Sequence, residues 1–504
     1  MKKYFALLMS MLFLLGFAAS AFAIHADIPS ETQAAVAKGS TQITLGGELR
    51  FRGWMSTDID QSSSSWLPVD SPSAAWYDAR VRLSLQADVT KNTTGFVQLE
   101  TTGGSTSDLT NSDTYVWGRG SVSSASTVGT AVGATENNKP DSQLRILQAW
   151  IQHSGTGLLG IPAGIKVGHM PLALSQRQFL DHTKFGDDAV LLFAFPMKNL
   201  HVAAVTAKVI EGSAGQSNDD TDAYAVLAVY NWNKDNAVGI NLFYAQGNNT
   251  PINTLLPASG GTPAASNWVI NEDQGIKFYN LGFHASGVLY GLTYEAEFDT
   301  QFGRTLKGFA ETDFRGYGIF ANLGYKINPV TLRAGFAYGS GDKDGMADGK
   351  NKEFQTTMGR DVHYAFIYEY TLRTSANMQW LDTGHSGGGS TGSGVNSTGR
   401  STGIANTTYY RLGLDFEPMK DMTASIDGFV IRASKTSGGQ DKQIGEEIDV
   451  KLSYKIDKNL TYSVIAGWMN AGDFYNTGAA GTPFTSANDI KDPFQMVHAL
   501  TLSF

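Results

Sequence analysis

Charged side chains recur at alternate positions in three stretches of the sequence. These stretches are Glu48, Arg50 and Arg52; Asp78, Arg80 and Arg82; and Glu295, Glu297 and Asp299. Successive side chains of a β-strand point to opposite faces of a sheet, so each set lies on one face of its strand. The first two sets are mainly basic and the third is acidic. Facing each other across water, they would create a transverse field that orients polar solutes and sets ion preference.

The sequence patterns of enzymes are nearly absent. Two G-x-S-x-G matches fall in the Gly/Ser-rich stretch 384–403, where composition alone explains them. The nine His residues are scattered, and Asp181-His182 is the one neighbouring pair of the kind used at the rim of a barrel enzyme. Without Cys the chain has no thiol nucleophile, thiolate zinc site, iron–sulfur cluster or covalently attached haem. We therefore expect no enzymatic activity and no cofactor.

One cluster of carboxylates is a candidate for a cation. Asp342, Asp344 and Asp348 occupy positions 1, 3 and 7 of the calcium-loop pattern. Met346 and Ala347 stand where that pattern needs an oxygen ligand and a glycine, so the segment is not an EF-hand. A looser divalent site at an outer surface is the alternative, and otherwise we predict no metal.

Composition and periodicity indicate a chain built from strands. Only 17% of residues are charged, against about 25% in a typical protein. The net charge of -9 provides no basic surface for nucleic acid. The run 76–89 alternates apolar and polar residues, and similar runs recur to the end of the chain. Such alternation fits a half-buried strand, or a barrel wall with lipid outside and water inside.

The lengths of the connections favour the barrel. Very short links such as 90–93, 233–236 and 457–459 alternate with polar stretches as long as 102–141 and 339–406. Short turns at one end and long loops at the other are typical of outer-membrane barrels. We predict an all-β, transmembrane antiparallel β-barrel of eighteen strands with both ends in the periplasm. We assign the strand-like 362–370 to a loop, because including it would break the even count. Sixteen strands therefore remain an alternative, and the weakest strands are 161–169 and 188–195.

The first residues carry an export signal. Two lysines precede the apolar run 5–17, and small residues follow up to Ala23, as in a cleaved signal peptide. We therefore expect a signal peptide at 1–23, a periplasmic segment at 24–40 and a barrel at 41–504 with a long extracellular loop at 340–406. An uncleaved membrane anchor is the alternative.

Several motifs resemble those of Gram-negative outer-membrane porins. The chain ends in an alternating strand closed by Phe504, which resembles the assembly signal of these barrels. The stretch 83–100, the run 166–172 and the Gly-Ser-Gly-Asp at 339–342 resemble porins too, most of all those of metal-reducing bacteria, with alginate-export-type barrels as neighbours. The resemblance covers nearly all of the chain after its signal peptide. Where the family has Arg, this chain has His169.

The resemblance implies passive diffusion of small hydrophilic solutes across the outer membrane. In general porins the loop after the fifth strand folds inward, which implies that residues 170–188, with Asp181, His182 and Lys184, form the constriction together with the basic patch. Lipid, lipopolysaccharide, the barrel-assembly machinery and a homotrimer are the implied partners, without nucleic acid. Two alternatives stay open: a channel that exports an acidic polysaccharide, and a sheath around a periplasmic multihaem cytochrome.

Overall fold

A computed structural model describes the part of the chain that forms the predicted barrel. The described residues are 41–58, 73–103, 115–117, 142–157, 160–210, 220–248, 275–305, 312–343, 348–358, 364–370, 403–436, 441–475 and 492–504. The predicted signal peptide at 1–23 and the periplasmic segment at 24–40 lie outside the described residues, as does most of the loop at 340–406.

The described chain contains eighteen long strands. They are β1 (Gln42–Thr57), β2 (Ser73–Thr90), β3 (Thr93–Gly103), β4 (Ser142–Thr156), β5 (Pro162–Met170), β6 (Asp187–Met197), β7 (Leu200–Ile210), β8 (Thr221–Asn233), β9 (Asn236–Asn248), β10 (Gly275–Leu289), β11 (Leu292–Thr305), β12 (Tyr317–Ile327), β13 (Val330–Gly339), β14 (Thr407–Met419), β15 (Met422–Ala433), β16 (Gln443–Asp457), β17 (Leu460–Ala471) and β18 (Phe494–Ser503). The strand count is confirmed, including β5 and β6, which the alternative of sixteen strands would have removed.

Each strand pairs antiparallel with its neighbours in the chain, and β1 also pairs with β18. The sheet therefore closes on itself and has no free edge, as a barrel in lipid requires. Eight short links, such as Lys234 and Asp235 between β8 and β9, lie at one end of the barrel. The long links lie at the other end, as predicted.

The two faces of the wall differ in polarity. Outward residues such as Leu83, Val226 and Leu412 are exposed, whereas inward charged residues such as Arg52 and Asp78 are buried. On the outside, Tyr224, Tyr244, Tyr279 and Phe302 stack in sequence across β8 to β11, with ring centroids 6.1, 4.6 and 5.0 Å apart. An apolar band with an aromatic girdle is the outer surface of a transmembrane barrel.

The described part of the segment 362–370, residues 364–370, contains no strand, as predicted, but it is not a simple outer loop. Its end forms a short helix, α1 (Phe366–Tyr370), whose Phe366 and Ile367 are completely buried. Among the described residues, no helix is long and apolar enough to cross a membrane.

The barrel closes at a seam where β1 and β18 approach each other closely. The backbone N–H of Gly47 in β1 donates to the Phe504 carbonyl at 2.7 Å, and the Phe504 N–H donates to the Gly47 carbonyl at 3.0 Å. A Cβ at Gly47 would lie 2.7 Å from both the Phe504 ring and the carbonyl oxygen of Arg82. Glycine is therefore the residue that lets Phe504 close the barrel.

We predict that Gly47→Val destabilises the seam by about 1–3 kcal/mol, because neither the backbone of Arg82 nor the ring can yield without cost. The measurement is urea unfolding in lipid vesicles, followed by the mobility shift of the folded barrel in electrophoresis. Gly95→Val is the matched control, because a Cβ there meets nothing within 4 Å. Equal unfolding midpoints for the two variants would contradict a tight seam.

Candidate functional site

The first charged stretches meet as ion pairs on the inner wall. The guanidinium of Arg52 donates to both carboxylate oxygens of Asp78 at 2.8 Å, and the indole N–H of Trp54 donates to the same carboxylate at 2.9 Å. The antiparallel register of β1 and β2 places Arg52 directly opposite Asp78. All three side chains are buried, so this pair is a fixed part of the wall.

The neighbouring arginines are also engaged. Arg80 donates to the Glu48 carboxylate at 2.6 Å, and Arg82 donates to Glu100 on β3. Arg50 is buried on the same face, in register with Arg80. The basic patch expected from the sequence is thus an interleaved array, because the carboxylates of adjacent strands alternate with the arginines.

The acidic stretch divides into one exposed and two buried groups. Glu295 is exposed in the lumen, whereas Glu297 and Asp299 are 3% and 1% exposed. Asp299 accepts a hydrogen bond of 2.7 Å from the Asn280 amide, and Glu297 accepts one of 2.5 Å from the backbone N–H of Gln176. Two of these three carboxylates are therefore buried, and Glu297 binds a chain segment that lies against the wall.

That segment is the first inward segment, residues 171–186 between β5 and β6. Its Phe179 is 1% exposed and packs on the inward rings of Phe243 and Phe278, with centroids 5.1 and 5.9 Å away. The segment therefore lies within the barrel and narrows the lumen. Lys184 is half-buried in its turn, and Asp181 accepts two hydrogen bonds from Thr183.

His182 joins this segment to a second one. Its Nδ1 lies 2.9 Å from the Asp187 carboxylate, and its Nε2 lies 2.5 Å from the hydroxyl of Thr357. The sequence singled out the pair Asp181-His182. In these hydrogen bonds the carboxylate partner of His182 is Asp187 of β6. His182 is buried, and it links the first inward segment to β6 and to the second inward segment.

The second inward segment comprises the described residues 353–358 and 364–370. Thr357–Met358 pairs parallel with Leu180–Asp181 of the first segment. The Tyr364 ring stacks on Tyr409 of β14 at 4.5 Å, and its hydroxyl donates to the Gln178 side chain. Burial raises the pKa of the Tyr364 hydroxyl well above its usual range, so the donor keeps its proton.

Two wall carboxylates hold helix α1 in place. The backbone N–H groups of Ile367 and Tyr368 donate to Glu447, the latter at 3.0 Å, and that of Phe366 donates to Asp449 at 3.0 Å. Both acids lie on β16 with no more than traces of exposure. They satisfy the first backbone donors of the helix, which have no partners inside it.

A polar cavity of about 380 Å³ remains between the two segments and the wall of β11 to β14. Its lining includes Gln176, Arg177, Gln178, Glu295, Phe320, Asn322, Tyr364, Tyr409 and Arg411. Arg177 and Glu295 are exposed there, and Arg411 is bound to Asp427 at 2.8 Å. Charge, amide and aromatic groups thus meet at the narrowed part of the lumen.

Several residues of this site were missed in the sequence. Glu447 and Asp449 lie on the polar face of a regularly alternating strand. Nothing in the sequence indicates that they bind a distant helix. Arg177 and Gln178 were included in the loop expected to narrow the pore. The sequence did not predict a role for Tyr364 in the lumen, because the segment 362–370 was assigned to an outer loop.

The two described carboxylates that were considered for a cation both bind Lys352. Asp342 accepts from the backbone N–H of Lys352 at 2.9 Å, and Asp348 accepts from the Lys352 ammonium at 2.5 Å. That hydrogen bond lowers the pKa of Asp348. Asp344 lies outside the described residues. Within the described part of the chain, no group of three metal-ligating side chains comes together.

A closed wall that is apolar outside and charged inside spans a lipid membrane and encloses water. The protein is therefore an outer-membrane β-barrel of the channel-forming kind, as predicted from its sequence.

The family model described as alginate export matches residues 79–483. The chain belongs to this family, which is one of the two groups it was expected to resemble. No curated protein sequence matches the chain.

Solved structures that are similar to the barrel include the following three. OccAB4 of Acinetobacter baumannii is 9% identical, with 91% of this chain and 98% of that chain covered and a TM-score of 0.48. OpdK of Pseudomonas aeruginosa, solved with vanillate, is 11% identical over the same shares, also with a TM-score of 0.48. OpdL of Pseudomonas aeruginosa is 11% identical over 92% and 98%, with a TM-score of 0.49.

We predict that Glu447→Gln loosens α1, because the amide presents an N–H where the carboxylate accepts one from the backbone. A buried backbone N–H left without its acceptor costs about 1–3 kcal/mol. Single-channel recording should show a noisier current and a higher mean conductance. Glu446→Gln, which changes the neighbouring residue on the outward face of β16, should leave both unchanged. Identical traces for the two variants would contradict the anchoring role.

Proposed function

We propose that the barrel conducts small hydrophilic solutes and ions by passive diffusion, and that the polar cavity between the inward segments selects among them. The observation that carries this proposal is the cavity of about 380 Å³, in which Arg177 and Glu295 are exposed. No chemical step is part of the proposal, in keeping with the sequence prediction that the protein is not an enzyme.

The exposed charges act more strongly on a passing ion than the buried pairs do. The groups of Arg52 and Asp78 neutralise each other within hydrogen-bonding distance, so their field falls off quickly with distance. Arg177 on the first inward segment and Glu295 on β11 both line the cavity. Charges at a narrow point set ion preference and orient dipolar solutes.

We predict that Arg177→Gln shifts the channel toward cations and that Glu295→Gln shifts it toward anions. Each charge interaction is worth about 1 kcal/mol in a water-filled space, or about a fivefold change in the permeability ratio. The measurement is the reversal potential of a planar bilayer under a salt gradient. Arg315→Gln, at the rim and 57% exposed, is the control and should leave it unchanged. Shifts of the same sign in both variants would contradict the proposed filter.

A second candidate solute is an acidic polysaccharide. The family match supports it, as do the two arginines, Arg177 and Arg411, in the cavity lining. The paired arginines of β1 and β2 argue against a continuous basic path along the whole wall. If the channel exports such a polymer, alginate oligosaccharides on the periplasmic side should interrupt the current at micromolar concentration, and neutral dextrins of equal length should not. Equal effects of the two would exclude recognition of the acid.

The implied partners stay proposals. The apolar band of exposed residues such as Leu83 and Leu412 supports contact with outer-membrane lipid and lipopolysaccharide. The barrel-assembly machinery, a homotrimer and the sheath of a cytochrome conduit stay predictions from the sequence.

A further inference from the structure

The inner face of β6 to β9 is apolar, in contrast to the charged inner face of β1 to β3. Two cross-strand rows define it, and both follow from the register of these strands. They are Ala189, Ala207, Ala223 and Ala245, and beside it Leu191, Val205, Ala225 and Phe243. The outer faces of the same strands are apolar as well, with Leu192 and Val226 exposed. A wall that meets water on the inside carries polar residues there, so these rows face something else.

Part of this face is covered by the first inward segment, and a space is left between them. The cavity measures about 320 Å³ and is lined by Leu172, Leu174 and Leu180 of the segment and by the small inward residues of the wall. The cavity is not enclosed on all sides, and because it lies on the inner face of the wall it opens to the lumen. Its volume lies within the range of about 300–1,000 Å³ that is usual for ligand sites.

The polar end of the cavity is formed by His182, Asp187 and Thr357. These side chains are bonded to one another, at 2.9 Å between His182 and Asp187 and 2.5 Å between His182 and Thr357. These side chains therefore need no charged group of a ligand as a partner. The Asp187 carboxylate also disfavours an anionic ligand. Alanines at the inward positions leave open the space that larger side chains would fill.

We propose that this cavity is a binding site inside the barrel for an uncharged aliphatic molecule of the size of 1-octanol, which enters from the lumen. Its hydrocarbon chain lies along the alanine rows, and its hydroxyl reaches the polar end. The site goes beyond the proposed conduction of hydrophilic solutes and uses a different sector of the wall. Burial of each additional methylene strengthens binding about fourfold until the cavity is full.

The test is equilibrium dialysis of radiolabelled 1-octanol against the barrel in lipid nanodiscs, with empty nanodiscs defining partition into lipid. Ala203→Leu fills the cavity, and Ala204→Leu places the same side chain on the outward face of the same strand, where Ala204 is exposed. If Ala203→Leu fails to fold, Ala225→Val replaces it. The mobility shift in electrophoresis establishes folding.

We expect one saturable site per barrel in the wild type and in Ala204→Leu, and at least a tenfold loss of affinity in the filled variant. 1-Hexanol should bind more weakly than 1-octanol by about fourfold per methylene, and octanoate should bind at least tenfold more weakly than 1-octanol. Uptake equal to that of empty nanodiscs, retention of the site in the filled variant, or equal binding of octanoate would each overturn the proposal. The reversal potential is an independent measurement, so failure of this site and failure of the charge filter are distinguishable.

Discussion

The structure depends on the pairing of every backbone polar group of the wall within the sheet. In lipid no water is present to satisfy an open edge, so the strands must close on themselves. The closing pair is β1 with β18, and its last hydrogen bonds join Gly47 to Phe504. The pair Gly47 and Phe504 thus completes the barrel. This also explains the period of two along the chain, because each strand must present one face to lipid and one to the interior.

The same requirement governs the chain inside the barrel. The inward segments are irregular, and their backbone N–H groups need acceptors once they are buried. Glu297 on β11 accepts from the first segment, and Glu447 on β16 accepts from the second. The segments also pair with each other at Leu180–Asp181 and Thr357–Met358. The two segments are anchored to different sectors of the wall and paired with each other, so they form one unit. The width of the passage is therefore determined by the folded positions of these segments.

Much of the architecture could be predicted from the sequence, whereas the interior could not. Alternation and link lengths defined eighteen strands, since both follow from local geometry. The strands β5 and β6 were the least certain, and the reason is physical: Ala189, Leu191 and Leu192 make both faces of β6 apolar, so the period of two disappears. Glu297 and Glu447 lie on well-predicted strands, but their partners are 121 and 79 or more residues away. No local pattern encodes a contact of that range.

The interior is divided into sectors with different chemistry. Buried ion pairs of β1 to β3 neutralise one sector, exposed charges of Arg177 and Glu295 control the narrow polar cavity, and alanine rows make β6 to β9 apolar. The first inward segment takes part in two of these sectors. Its Arg177 faces the polar cavity, and its Leu172 and Leu180 face the apolar one. One anchored segment therefore separates a path for charged solutes from a pocket for apolar ones, and neither function requires the barrel to open.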